Sequence, residues 1–367
     1  MGRLNDLYTQ YGQSPWLDNL KRGWITSGEL ERWVERGVRG LTSNPTIFQK
    51  AIADAADYDE QFRELVRGGA SIEDAYWALV SADIEEALRI LRPVHDESGG
   101  VDGRVSVEVA PDLARDTAGT EAAARQLWTS IDEPNLFVKI PGTAEGLPAI
   151  RACIGAGVSI NITLLFSLSR YDEVIDAYLG GLEDLLAAGG DPSQVASVAS
   201  FFVSRVDTNV DRQLDAIGTP EAQVLKSKAA IANAQLAYQL FLQRFQGERW
   251  EALAAAGARV QRPLWASTST KDPSLPDTLY VDNLIGPDTV NTLPDSTLEE
   301  FEDHGTLART IDADPDAARA VVDGLAELGI DLEAVAVTLE EEGVASFAKS
   351  FDDLIETLSS KADELRS

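Results

Sequence analysis

In the stretch Asn135-Leu136-Phe137-Val138-Lys139-Ile140-Pro141-Gly142, strand-forming residues enclose a single lysine. Leu136, Phe137, Val138 and Ile140 favour an extended strand, and Pro141-Gly142 ends it. An ammonium is expensive to bury in such a run, and the cost falls if the amine goes neutral. A neutral amine is a nucleophile that forms a Schiff base with a carbonyl. The plainer alternative is a lysine at a strand end whose head snorkels to water. No other lysine of the chain lies inside an apolar strand-like run.

Around this strand, short apolar runs alternate with long amphipathic stretches. Strands are predicted at residues 16–20, 37–41, 105–109, 136–140, 157–163, 195–202, 260–266 and 279–284. Helices are predicted at 27–37, with Ser27 as its cap, and at 71–92, 120–131, 144–155, 169–188 and 220–256. Such alternation means βαβ units and parallel strands. Eight repeats fit an α/β chain closed as a (β/α)8 TIM barrel better than an open sheet. Two further amphipathic helices, 315–328 and 345–365, form a C-terminal helical extension. No Pro-, Gly- or Ser-rich linker divides the chain, so one domain over residues 1–367 is expected, with residues from about 300 packed on the barrel. The loop 95–104, with Gly99-Gly100, reads as a flexible insertion.

Composition narrows the function. The 367 residues are 44% hydrophobic and 25% charged, an ordinary globular balance. With 61 acidic and 31 basic residues the net charge is -30, which argues against nucleic acid and anionic membranes as partners. An anionic substrate therefore needs a locally basic pocket. Cys153 is the single cysteine, so no internal disulfide forms. Residues 1–14 lack a signal-peptide core, and no apolar stretch reaches membrane-spanning length. A cytoplasmic protein is expected, in which the Asn161-Ile162-Thr163 sequon is accidental. His95 and His304 lack ligand spacing to each other or to Cys153, so no metal is expected. No glycine-rich nucleotide motif appears, so no cofactor is expected either.

In a barrel of this type the active site lies at the C-terminal ends of the strands. Polar residues falling there are Asp18, Asn44, Glu108, Lys139, Asn161, Thr163, Ser200, Arg205 and the run Ser267 to Lys271. Each has a plain structural reading alone: Asn44 before Pro45 can shape a turn, and Asp18 can cap a helix. Together they suit one chemistry. Lys139 attacks a ketone, and the resulting iminium permits cleavage of the adjacent carbon–carbon bond. Asp18 can take the hydroxyl proton, and Glu108 can handle the proton traffic of imine formation. Asn44, Asn161 and Thr163 can bind sugar hydroxyls or hold a water. Arg205 and Lys271, with Ser200, can hold a phosphate.

At these residues the chain resembles the transaldolases. The carrying motifs are TSNP at 42–45, VEV at 107–109, VKI at 138–140, NITLLFS at 161–167 and SFFVSR at 200–205. WASTSTK at 265–271 and YVDNLIG at 280–286 resemble the long bacterial form. The resemblance spans roughly the whole chain, in family order. It implies a class I aldolase-type barrel that acts on sugar phosphates in the non-oxidative pentose phosphate pathway. A dihydroxyacetone unit would pass from sedoheptulose 7-phosphate or fructose 6-phosphate to glyceraldehyde 3-phosphate or erythrose 4-phosphate. It further implies Lys139 as the Schiff-base lysine and Asp18 as the group acting on the C4 hydroxyl. Glu108 and Thr163 would hold the catalytic water, and Asn44 and Asn161 the substrate hydroxyls. Ser200, Phe202 and Arg205 would line the pocket and bind phosphate. In shorter members a second phosphate-binding arginine follows the seventh strand; here Ser269 or Lys271 takes that place. Glu108 separates this chain from related fructose 6-phosphate aldolases, which carry glutamine there. A non-catalytic sugar-phosphate-binding barrel is the remaining alternative, and monomer and homodimer both stay open.

Overall fold

Eight short strands pair in chain order and close on themselves, all parallel. They are β1 (Gln13–Leu17), β2 (Gly40–Thr42), β3 (Arg104–Glu108), β4 (Leu136–Pro141), β5 (Ile160–Leu165), β6 (Ser197–Phe202), β7 (Arg262–Ala266) and β8 (Thr289–Leu293). The computed structural model describes residues 2–53 and 55–366; Met1, within the stretch 1–14, lies outside them. Every strand residue is buried, as expected when helices cover the outside and side chains fill the inside. The barrel is a packed core at its N-terminal end. Trp16 and Phe137 meet there with ring centroids 6.1 Å apart, and a Cβ on Gly40 would lie 2.4 Å from the Trp16 ring. Below them Asp102 is fully buried, held by Arg39 at 2.8 Å and Arg262 at 2.9 Å. Burial alone would raise this carboxyl, but the Arg262 and Arg39 guanidinia hold it below the usual range.

The structure corrects several of the predicted elements. The eighth strand is Thr289–Leu293, whereas Leu279–Asn283 within the predicted run is a helix. A short apolar run does not distinguish strand from helix. Here the Thr278 hydroxyl donates to Asp282 and closes a helical turn at 2.9 Å. The predicted helix 220–256 is three helices, Pro220–Leu225, Ala229–Arg244 and Glu248–Ala255. The breaks fall at Ser227, whose left-handed backbone is held by Asp211, and at Gly247. Ser27 does not start a helix: it closes the C-terminal end of Arg22–Thr26, and Gly28 precedes Glu29–Arg36. Of the predicted loop 95–104, residues 95–97 belong to the Ile72–Glu97 helix and 98–103 form the turn to β3, where Arg104 donates to the Gly100 carbonyl.

β1 ends three residues earlier than predicted, at Leu17, and β2 one residue later, at Thr42, which places Asp18 and Asn44 just past their C-terminal ends. Helices Pro45–Ala53 and Ser204–Ile217 follow β2 and β6 directly. The last helix runs from Leu332 to Arg366, starting well before predicted residue 345, and Gly343 does not interrupt it. It lies against the loops at the catalytic end. Thr46 and Ser350 share a 2.8 Å hydrogen bond, Arg115 pairs with Glu340 at 3.1 Å, and Tyr76 meets Phe351 edge-on at 5.2 Å. No helix among the described residues is long and apolar enough to cross a membrane.

Candidate active site

Parallel register sets the centre of the site. Glu108 on β3 and Lys139 on β4 are direct partners in the ladder, so both side chains point inward at one level. Lys139 Nζ lies 3.0 Å from Glu108 Oε2 and donates to the Ser43 carbonyl oxygen at 3.0 Å. Oε2 takes no aligned hydrogen bond, so the contact is an ion pair by distance. Both side chains are buried. The snorkelling alternative is not met: the lysine head is inside, with a carboxylate beside it. Burial pushes Glu108 up, and the pull of Lys139 only partly offsets this.

Asp18 follows β1, where its N–H donates to the Leu293 carbonyl at 2.8 Å and so is tied to β8. Thr42 Oγ1 on β2 donates to Asp18 Oδ1 at 2.7 Å and lies 2.6 Å from Thr292 Oγ1 on β8. Burial raises the Asp18 carboxyl, against the attraction of Lys139, Arg205 and Lys271 and the Thr42 hydrogen bond.

On β5, Asn161 is a strut. Its amide nitrogen donates to Ser106 Oγ at 3.0 Å, and its oxygen accepts from Ser200 Oγ at 2.7 Å. Thr163 sits at a register shift between β5 and β6, beside Leu164 with φ of 61°. A leucine rarely adopts that conformation, and here it marks a bulge. Thr163 Oγ1 is buried without a hydrogen-bond partner while its residue lines the cavity. That is an oxygen poised for a ligand or a water. Asn44 takes both readings offered for it. It accepts from the Ile47 N–H at 3.0 Å, starting the Pro45–Ala53 helix, and it also lines the cavity.

The opposite wall comes from β6 and β7. Phe202 packs on Phe166 at 5.2 Å, and the Arg205 guanidinium lies 5.1 Å from the Phe202 ring centre. Lys271 Nζ donates to Ser269 Oγ at 2.6 Å. These walls enclose about 550 Å³, room for a sugar phosphate. The structure brings Asp18, Asn44, Lys139, Thr163, Ser200, Phe202, Arg205, Ser269 and Lys271 around this one space. Glu108 and Asn161 do not line it. Glu108 lines a separate pocket of about 10 Å³ with Ser43, Asn44 and Tyr76.

Several lining residues have no counterpart among those singled out from sequence. Lys21, Lys50, Asp295 and Phe347 face the cavity from helices and loops, where no periodicity marks them. Lys21, Lys50, Arg205 and Lys271 have no carboxylate partner within 4.0 Å among the described residues. The chain carries a net charge of -30, so these unpaired cations make the cavity the basic pocket an anionic substrate requires. Ser106 and Thr42 face inward, and the alternation of their strands would have shown it. Thr292 stayed hidden because β8 was placed elsewhere. Among the described residues no group of three His, Cys, Asp or Glu side chains could hold a metal ion.

Residues 15–358 match the family model described as Transaldolase/Fructose-6-phosphate aldolase. The chain is 56% identical to "Transaldolase" of Parafrankia sp. (strain EAN1pec) over 357 residues, 97% of this chain and 96% of the other. It is 54% identical to "Transaldolase" of Frankia alni over 95% of this chain and 94% of that one. With "Transaldolase" of Thermobifida fusca it shares 52% identity over 97% of each chain. An eight-stranded parallel barrel with a lysine at its catalytic end, matched over nearly its full length, belongs to the transaldolase/fructose-6-phosphate aldolase family.

Proposed function

We propose that the enzyme is a transaldolase, transferring a dihydroxyacetone unit from a ketose phosphate to an aldose phosphate through a Schiff base on Lys139. The observation that carries this is the placement of Lys139 Nζ. It lies at the floor of a basic, sugar-sized cavity, 3.0 Å from a buried carboxylate.

In this reading Glu108 accepts the proton that Lys139 sheds before attack. The amine adds to C2 of the ketose. Water leaves from the carbinolamine, with Glu108 and Thr163 managing the proton and the water, and an iminium forms. Asp18 takes the proton from the C4 hydroxyl. The C3–C4 bond breaks, its electron pair moves into an enamine on Lys139, and the aldose phosphate departs. A second aldose phosphate enters, the enamine attacks its carbonyl carbon, and Asp18 returns the proton. Water then hydrolyses the new iminium. Asn44, Asn161 and Ser200 orient the hydroxyls, Asn161 through its bond to Ser200. Arg205, Ser269 and Lys271 take the phosphate beside Phe202. Sedoheptulose 7-phosphate and fructose 6-phosphate are the donors, and glyceraldehyde 3-phosphate and erythrose 4-phosphate the acceptors. The C-terminal helix belongs to the same domain as the barrel, because Ser346 and Phe347 complete the cavity wall. The single buried cysteine fits a reducing, cytoplasmic setting.

Borohydride added during turnover of fructose 6-phosphate should fix a three-carbon adduct on Lys139, mapped by peptide mass. An adduct elsewhere, or full transfer activity in Lys139→Ala, ends this reading.

A further inference from the structure

Asp18 is held by hydroxyls from two other strands. Thr42 Oγ1 lies 2.7 Å from Asp18 Oδ1 and 2.6 Å from Thr292 Oγ1. Thr42 and Thr292 are buried, 2% and 3% exposed, and both border the cavity beside Asp18. Each hydroxyl owns one proton, and an ionised carboxylate only accepts. The Thr42 proton therefore goes to Asp18, and Thr42 receives the Thr292 proton on a lone pair. The chain runs one way, from β8 through β2 to the carboxylate. It engages Oδ1 alone and leaves Oδ2 without a hydrogen-bond donor among the described residues. A second restraint fixes the backbone beneath, where the Asp18 N–H meets the Leu293 carbonyl. Thr292 thus lies next to the residue that ties Asp18 to β8.

We propose that Thr42, backed by Thr292, is a positioning residue that holds Asp18 with one oxygen fixed and the other presented to the C4 hydroxyl of the substrate. This rests on Asp18 being the base of carbon–carbon cleavage. A hydrogen bond from Thr42 favours the charged carboxylate, the form that accepts a proton. It opposes burial, which favours the neutral form. Fixing Oδ1 also removes a rotation that would otherwise take the acceptor oxygen off line during cleavage. Were Thr42 only satisfying a buried polar site, its loss would lower stability and leave the pH dependence of turnover in place.

The test compares Thr42→Val, Thr42→Ser and Thr292→Val in the full-length enzyme. Thr42→Val should lower kcat about 10- to 100-fold, the range for a hydrogen bond to a charged group, with KM for the ketose phosphate within about twofold. The acidic limb of kcat/KM should move up by about one pH unit. Thr42→Ser should restore both, and Thr292→Val should shift both less, in the same direction. Borohydride trapping on Lys139 should persist throughout, since imine formation does not use Asp18. An unmoved acidic limb in Thr42→Val, or a Ser variant as impaired as the Val variant, overturns the proposal. Should the Val variant fail to fold, Thr42→Ala against Thr42→Ser gives the same comparison. Asp18→Asn separates the two ideas. If it retains full activity, the role of Asp18 fails; if it is inactive while Thr42→Val keeps wild-type kcat and limb, only the positioning fails.

Discussion

Glu108 and Lys139 face each other at one level of adjacent parallel strands, and that register alone sets their charged ends 3.0 Å apart. A lysine buried alone would be unfavourable, and a carboxylate buried alone equally so. Placed together they make a dry pair at the base of a sugar-sized space.

Glu108→Gln keeps the shape and removes both the charge and the exchangeable proton. The amide cannot shuttle protons at neutral pH, so handling of the imine water should change. Transfer should slow, and the ratio of dihydroxyacetone release to transfer should rise. Erythrose 4-phosphate and free dihydroxyacetone, measured with and without acceptor, give that ratio directly. A ratio equal to wild type refutes the role of Glu108. Loss of one partner of a buried pair should also lower stability by roughly 3 kcal/mol, read by urea unfolding.

Arg205 presents a forked donor to the cavity with no carboxylate partner to hold it. Arg205→Ala should raise KM for phosphorylated sugars about 10- to 100-fold and barely alter unphosphorylated ones. Arg205→Lys should recover only part of the loss, since a point charge lacks the fork. Lys271→Ala should act in the same sense but more weakly, because Lys271 is more exposed. Equal effects on both sugar classes would place Arg205 outside the phosphate site.

Asp207 lies two residues after Arg205 in the Ser204–Ile217 helix. It accepts from the Ala230 N–H at 2.8 Å and from the Tyr280 hydroxyl at 3.0 Å. Burial raises its carboxyl from 3.8 to about 6, against those hydrogen bonds. The folded state therefore holds a proton there that the unfolded chain has lost, between about pH 4 and pH 6. Stability from this group falls as pH rises through that window and is flat above it. Relative to Asp207→Asn, wild type should lose about 3 kcal/mol between pH 4 and pH 7. Urea unfolding of both proteins across that range checks it, and a constant difference would refute it.

The class of fold was legible because the runs around Val107, Val138 and Ile162 are too apolar to lie anywhere but inside, and helical stretches separate them. β8 was not. Its residues Thr289, Asn291 and Thr292 are polar, while the neighbouring run at Leu279 is apolar. At Thr292 the interior is itself polar, facing Thr42 and the cavity. A strand facing a polar interior gives no apolar alternation to find. The helix from Leu332 was legible only from residue 345 onward, although it continues unbroken through Gly343. In the structure that glycine allows close approach, since a Cβ there would lie 2.8 Å from Leu164.

Local sequence by itself determined the strand with its lysine, the carboxylate in the strand before it, and the polar residues that end the other strands. Those follow from side-chain size, branching and polarity along a few consecutive residues. Only the tertiary structure decided which of them share one space. Closure of β8 onto β1 brings Thr292 to Thr42 and Asp18. The register of β3 with β4 pairs Glu108 with Lys139 and drops it behind the cavity wall. The return of the last helix sets Phe347 in the cavity wall. These are contacts between residues tens to hundreds of positions apart, set by how whole elements pack, and no local pattern encodes them.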